Sequence, residues 1–225
     1  MKQRAAGEIV RAVEDEGVRY AFGIPGTHNI ELYDLLAQAE RVQPILVTSE
    51  VAGAFLAAGY ARSSGEVGVI NVVPGAGVAF SLAGIAEAWM DNVPMVVLAA
   101  GIRTDTGMAY QLHAVDQLAM LRPVTKAALR VERADELYPT IRRAFRTARS
   151  GTPGPVAVEL PAQLFFLRHE IGEVGYEPEP ELGAAPDREL VERAAAMLAE
   201  AAAPALYLGK GAAGAAGLLV PLAEQ

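Results

Sequence analysis

The chain has 225 residues, 52% of them hydrophobic, and a formal net charge of −8. That length suits one full α/β domain with part of a second, and an acidic balance with scattered basic residues disfavours nucleic acid as a partner. With no cysteine, disulfides and thiolate metal sites are excluded, and the three histidines, at 28, 113 and 169, lie too far apart for local metal-ligand spacing. The apolar runs fall short of the roughly 18 residues of a membrane span. Met1-Lys2-Gln3-Arg4 leads into an amphipathic helix rather than the apolar core of a signal peptide. A cytoplasmic protein with no membrane partner and no metal ligands of its own is expected.

In chain order, residues 3–16 predict a helix with Ala6, Ile9, Val10 and Val13 on one face, stopped by Gly17. Val18 to Ile24 reads as a strand closed by Pro25-Gly26, and Thr27 or Asn29 can cap a helix from Ile30 to Ala39. A second strand, Ile45 to Thr48, runs without Gly or Pro into an Ala-rich helix from Val51 to Arg62, with Gly65 behind it. Val67 to Val73 is a third strand. The turn Pro74-Gly75-Ala76-Gly77 then opens a helix through Trp89, where Trp89 and Met90 suit core or interface packing, and Met95 to Ala100 is a fourth strand. Strands this apolar, alternating with helices, predict an α/β fold of three layers, with a mostly parallel sheet covered on both faces.

Ile102 to Asp116 keeps no period and reads as a long loop, of the kind that carries function. Thr125 to Val131 is a strand and Asp135 to Arg149 a helix. Val156 to Leu160 is a last strand, which its flanking Pro155 and Pro161 assign to a sheet edge. These elements make a first domain over residues 1–165. Residues 166–186, with the run Glu177-Pro178-Glu179-Pro180-Glu181, read as a linker. Residues 187–225 begin a second domain, with a helix from Arg188 to Glu200, a strand from Ala205 to Leu208 and a Gly/Ala-rich turn and helix.

Ligands of open parallel sheets sit at the carboxyl ends of the strands. The residues expected there are Pro25-Gly26-Thr27-His28, Ser49-Glu50, Pro74-Gly75-Ala76-Gly77 and the loop after Gly101. The glycines allow close backbone approach, and Glu50 is the one carboxylate immediately at these ends. Glu50 reads either as an ordinary acid of a first helical turn capped by Ser49, or as the functional acid of a site. Gly209-Lys210-Gly211-Ala212-Ala213-Gly214 fits the G-x-G-x-x-G dinucleotide pattern after a predicted strand, in a stretch where Ala and Gly make chance matches common. His28 and His113 read as surface or capping residues.

Several blocks resemble one family in order. They are Phe22-Gly23-Ile24-Pro25-Gly26, Glu50 with Ala54, Gly59-Tyr60-Ala61-Arg62, Val73-Pro74-Gly75-Ala76-Gly77, Gly84-Ile85-Ala86-Glu87-Ala88, Asp116-Gln117, Pro123-Val124-Thr125-Lys126 and Pro153-Gly154-Pro155-Val156. Over residues 1 to about 165 they are similar to the pyrimidine-binding domain of thiamine diphosphate enzymes of the acetolactate synthase-like group. The resemblance implies a carboligase or decarboxylase, a transferase or lyase, acting on a 2-keto acid or aldehyde. In it Glu50 hydrogen-bonds N1′ of the cofactor's aminopyrimidine and favours the imino tautomer that removes the thiazolium C2 proton. Pro25, Gly26, Pro74 and Gly75 line the pyrimidine pocket, and His28 and Gln111 take positions that face substrate in lyase-like relatives. Ala76 and Phe80 depart from the family's usual Pro and Asn. Mg²⁺ is implied, with ligands in a later domain, as is FAD or another nucleotide on the central domain, and a homodimer or homotetramer formed through the pyrimidine domain. By this reading the chain holds half a site, is inactive alone and is a fragment. The alternative is a non-catalytic binding or assembly subunit of the same fold.

Overall fold

The computed structural model describes residues 2–177 and 186–224. The chain divides into two compact units, residues 1–183 and 184–225.

The first unit is built on a six-stranded sheet. Its strands are β2 (Tyr20–Gly23), β3 (Gln43–Leu46), β4 (Gly68–Val72), β5 (Met95–Gly101), β6 (Ala127–Arg130) and β7 (Pro155–Pro161), in the order β3-β2-β4-β5-β7-β6. Every neighbouring pair is parallel, so the predicted α/β fold with a parallel sheet is observed. Successive side chains of a strand point to opposite faces, and both faces are buried. On β5, Val96, Leu98 and Ala100 join one core while Met95, Val97 and Ala99 join the other. The first core is covered by α1 (Ala6–Asp15), α2 (Ile30–Leu36) and α6 (Leu137–Arg149), the second by α3 (Glu50–Ser64) and α4 (Ala76–Met90). Charge ties the first layer together, because Glu16 accepts from both Arg142 (2.6 Å) and Arg149 (2.5 Å).

The Ala-rich composition of α3 has a packing cause. Gly53, Ala54, Ala57, Ala58 and Ala61 face inward, and α4 approaches so closely that a Cβ on Gly84 would stand 2.6 Å from Ala54 Cβ and 2.8 Å from Phe55 N. Gly65 ends α3 in the left-handed region (φ 76), donating to Ala61 O, as Gly does at helix C-termini.

Some expectations are corrected. The last strand is not an edge: β7 lies between β5 and β6, is buried throughout, and leaves the edges to β3 and β6. Pro155 and Pro161 are its first and last residues, where a missing N–H costs no interior ladder bond, and Pro155 O still accepts from Lys126 N at 2.7 Å. The first helix begins at Ala6, because Lys2–Arg4 form a strand, β1, that pairs antiparallel with β8 (Arg168–Glu170). A short helix, α5 (Gln117–Leu121), closes the long loop, and another, α7 (Gln163–Phe166), follows β7. Trp89 and Met90 are exposed, so core packing is ruled out for them.

The second unit holds α8 (Arg188–Glu200), capped by Asp187, whose carboxylate accepts from Glu189 N and Leu190 N, and α9 (Ala216–Ala223). Ala205–Leu208 does not form the expected strand. The second unit holds no other strand among its described residues, and an unpaired strand leaves its ladder groups unsatisfied. Gly209 therefore opens a 3₁₀ turn (Lys210–Ala215) without the strand that a dinucleotide fingerprint requires. The Pro-Glu run at 178–181 lies outside the described residues.

Candidate functional site

The strand order places the site. From β2 the chain steps outward to β3, then returns across β2 to β4, so the connections leaving β2 and β4 diverge at their carboxyl ends. Crevices at such reversals are where open α/β sheets bind ligands. The Pro25-Gly26 turn follows β2, Glu50 follows β3 and the Pro74-Gly75 turn follows β4.

The first turn is held from inside. Asn29 occupies the N-cap position of α2 but makes no cap bond. Its fully buried amide instead accepts from Gly26 N at 2.7 Å and donates to Ile24 O at 3.3 Å and to Asn71 Oδ1 at 2.5 Å. Asn71 lies on β4 and is itself buried, so one amide pair joins the turn that follows β2 to the strand β4. Thr27 is exposed and caps nothing.

Glu50 is the first residue of α3. Ser49 stands at the N-cap position without a side-chain cap bond, which removes the expected Ser49 cap. Glu50 is half-buried and no Lys or Arg among the described residues pairs with it. A Cβ on Gly77 would stand 2.7 Å from Val73 Cγ2 and 3.5 Å from Glu50 Oε1, so the start of α4 is bare where it meets the acid. A Cβ on Gly26 would likewise fall 2.6 Å from Val73 Cγ1. Beside the acid, the Tyr33 hydroxyl is buried with no hydrogen-bond partner. Burial first, and the Glu50 charge second, push that hydroxyl well above the usual phenol range. Unpartnered buried hydroxyls are uncommon, because the desolvation cost goes uncompensated.

The second turn depends on the long loop. Gly75 sits at φ 65, ψ −98, a conformation open to Gly, and its N–H donates to Gln117 Oε1 at 3.1 Å. Gln117, buried on α5, donates in turn to Ala100 O at 3.0 Å. Beneath it lies Glu159 of β7, 5% exposed and 3.1 Å from Arg130 Nη2. Burial raises the Glu159 carboxyl, against opposing effects from Arg130 and Gln117. The loop also returns to Gly75 through His113, since a Cβ on Gly75 would lie 2.9 Å from His113 O.

The histidines that looked unconnected in sequence meet. The rings of His28 and His113 stand edge to face with centroids 5.5 Å apart. Burial, then the neighbouring His113, lowers the His28 pKa. Gln111 is turned back into its own loop, donating to Arg103 O at 2.7 Å. His169 contacts Gln163 O, away from these turns. Pro25 is exposed, while Pro74 and Gly75 are buried. Among the described residues no three His, Cys, Asp or Glu side chains cluster as a metal site would require. A cavity of about 350 Å³ beside Arg19, Leu36, Arg41 and Pro44 lies at the opposite end of β2 and β3, where both arginines are paired with acids.

Fold and site together define an α/β domain with an unpaired acid between bare turns at a strand-order reversal. Residues 3–120 match the family model described as thiamine pyrophosphate enzyme, N-terminal TPP binding domain, and the chain belongs to that family. The chain is 36% identical over 162 residues to the acetolactate synthase large subunit of Haemophilus influenzae, covering 72% of this chain and 28% of that protein. It is 33% identical over 208 residues to the acetolactate synthase isozyme 3 large subunit of Escherichia coli (91% and 36%). It is 32% identical over 232 residues to a probable acetolactate synthase large subunit of Methanocaldococcus jannaschii (98% and 38%). The chain thus spans little more than a third of these relatives at most. No helix among the described residues is long and apolar enough to cross a membrane.

Proposed function

We propose that this chain supplies the pyrimidine-binding half of a thiamine diphosphate site in a carboligase or decarboxylase of acetolactate synthase type, acting on a 2-keto acid or aldehyde. The observation that carries the reading is Glu50, an acid without a cationic partner, facing the bare surface at Gly77. Gly26 and Gly77 let Val73 pack directly against the two turns, Gly75 admits the His113 backbone, and the Tyr33 hydroxyl stands buried beside the acid. Bound there, the cofactor supplies an electron sink for making or breaking the bond beside a carbonyl.

Glu50 would hold a proton on the pyrimidine nitrogen that meets it, a role that needs an acid freed from salt bridges. Pro25 and Gly26, held by Asn29, and Pro74 and Gly75, held by Gln117, would line the pyrimidine pocket. His28 stands at the mouth of the same turns. Mg²⁺ and the diphosphate would be held by a domain beyond this chain, and a flavin or other nucleotide by the central domain. Exposed Phe55 and Leu56 on α3 and Phe80 on α4 favour pairing through this domain, as a homodimer or homotetramer. The test is Glu50→Gln in the complete enzyme. Proton exchange at the cofactor's C2 should fall to the uncatalysed rate with the circular dichroism spectrum unchanged, and wild-type exchange in that variant would sink the reading.

A further inference from the structure

Gln117 is buried on α5 among three polar neighbours. The Gly75 N–H can only donate, and it meets Gln117 Oε1 at 3.1 Å. Ala100 O can only accept, and it meets Gln117 Nε2 at 3.0 Å. The third neighbour is the Glu159 carboxyl, which takes a hydrogen bond from the same side chain. The two ends of a side-chain amide are nearly equal in shape, so its neighbours alone decide which way it points. Turned over, Gln117 would set its NH₂ against the Gly75 N–H and its oxygen against two acceptors.

Glu159 reaches Gln117 from two strands away. It lies on β7, paired with Ala99 of β5, is 5% exposed, and has Arg130 Nη2 of β6 3.1 Å from its Oε1. Gly101 leaves room for it, since a Cβ there would stand 3.1 Å from Glu159 Oε1. Of the charged groups that face it, Arg130 favours the carboxylate and Asp116 opposes it. An ionised carboxyl only accepts, whereas a protonated one also donates and suits either end of an amide. We infer that Glu159 is a positioning residue: as a carboxylate it fixes the sense of the Gln117 amide, and through that amide it holds the Gly75 turn in place. The inference rests on the reading of the Gly75 turn as one wall of a cofactor site.

The test is NMR on the 225-residue chain, following the Gly75 N–H and the Gln117 side-chain N–H signals. In the wild type both should titrate together with the Glu159 carboxyl, at one midpoint above the ordinary 4.5. Glu159→Met removes the acceptor and should speed hydrogen exchange at Gly75 several-fold, up to about tenfold, the weight of one hydrogen bond. Glu159→Gln keeps an acceptor and should restore slow exchange while abolishing the titration. In a Gln117→Met background, Glu159→Met should add nothing at Gly75, because the intermediary is gone. In the complete enzyme, Glu159→Met should weaken thiamine diphosphate binding by a similar factor, and Glu159→Gln should recover it.

Separate midpoints for the two signals, unchanged exchange in Glu159→Met, an equal effect with and without Gln117, or wild-type cofactor affinity would each overturn the inference. The wild-type titration decides even where a variant fails to fold. Failure here is separable from failure of the cofactor reading. Gly75 indifferent to Glu159, while C2 exchange still depends on Glu50, removes the positioning role alone. C2 exchange indifferent to Glu50, with the Gly75 coupling intact, removes the cofactor reading alone.

Discussion

Asn29 donates its side-chain amide to Asn71 Oδ1 at 2.5 Å, across the boundary between β2 and β4, with both residues buried. The same Asn29 side chain accepts the Gly26 N–H, so the shape of one candidate ligand-binding turn is set by a residue on the neighbouring strand. Asn71→Leu should cost about 1–3 kcal/mol, because it leaves the Asn29 amide buried and short of a partner. A double-mutant cycle with Asn29→Ala, read by urea denaturation, should show coupling of about 0.5 kcal/mol or more. Strict additivity would mean that the pair contributes nothing.

Gly84→Ala should destabilise more than a usual helix substitution. Alanine is the better helix former, so a gain is the naive expectation. The added Cβ would meet Ala54 Cβ at 2.6 Å and the Phe55 backbone N at 2.8 Å, and backbone cannot step aside. A loss of about 1–3 kcal/mol is expected from such overpacking. A rise in melting temperature would refute the close helix contact.

Glu159 makes stability depend on pH in a definite direction. Its folded-state pKa is raised above the ordinary 4.5, burial being the largest cause. A carboxyl raised in this way contributes stability below its unfolded value, which is lost as pH rises through the folded value. Glu159→Gln keeps a polar side chain and removes that dependence. Thermal melts should show the variant gaining on the wild type at neutral pH, with the difference shrinking as the pH falls toward 4.5. A difference independent of pH would contradict the assignment.

Lys126 caps the end of α6, its ammonium donating to Thr147 O and Ser150 O at 2.5 Å each. It serves carbonyls that the helix itself leaves unpaired. Lys126→Met should lower stability by about 1–2 kcal/mol, and hydrogen exchange should speed up in the last turn of α6 before it does elsewhere. Arg at this position should restore only part of the loss.

Much of this was legible in the sequence, for identifiable reasons. The runs Val67 to Val73 and Met95 to Ala100 are buried on both faces, and burial on both faces writes itself as uninterrupted apolar residues. Glu50 stood out because no basic residue lies near it in the chain, and none pairs with it in space. The position of β7 was not legible. Pro155 and Pro161 bracket the strand, and only their register at its two ends distinguishes a tolerated interior strand from an edge. Gln117 and His113 were hidden for another reason. Their partners are Gly75 and His28, reached only when the loop folds back over the sheet, and no local period records such a return. Ala205–Leu208 misled in the opposite sense, having the composition of a strand but, among the described residues of its unit, no strand beside it.

The contact of Ala54 with Gly84 bears on how the pocket can respond to a ligand. Glu50 opens α3 and Gly77 lies in the first turn of α4, and the two helices touch nearly backbone to backbone. Neither can slide without the other, so the acid and the bare surface facing it travel as a single rigid jaw. The segment Ile102–Asp116 lies outside that jaw and is tied back to the Gly75 turn by His113 and, just past its end, by Gln117.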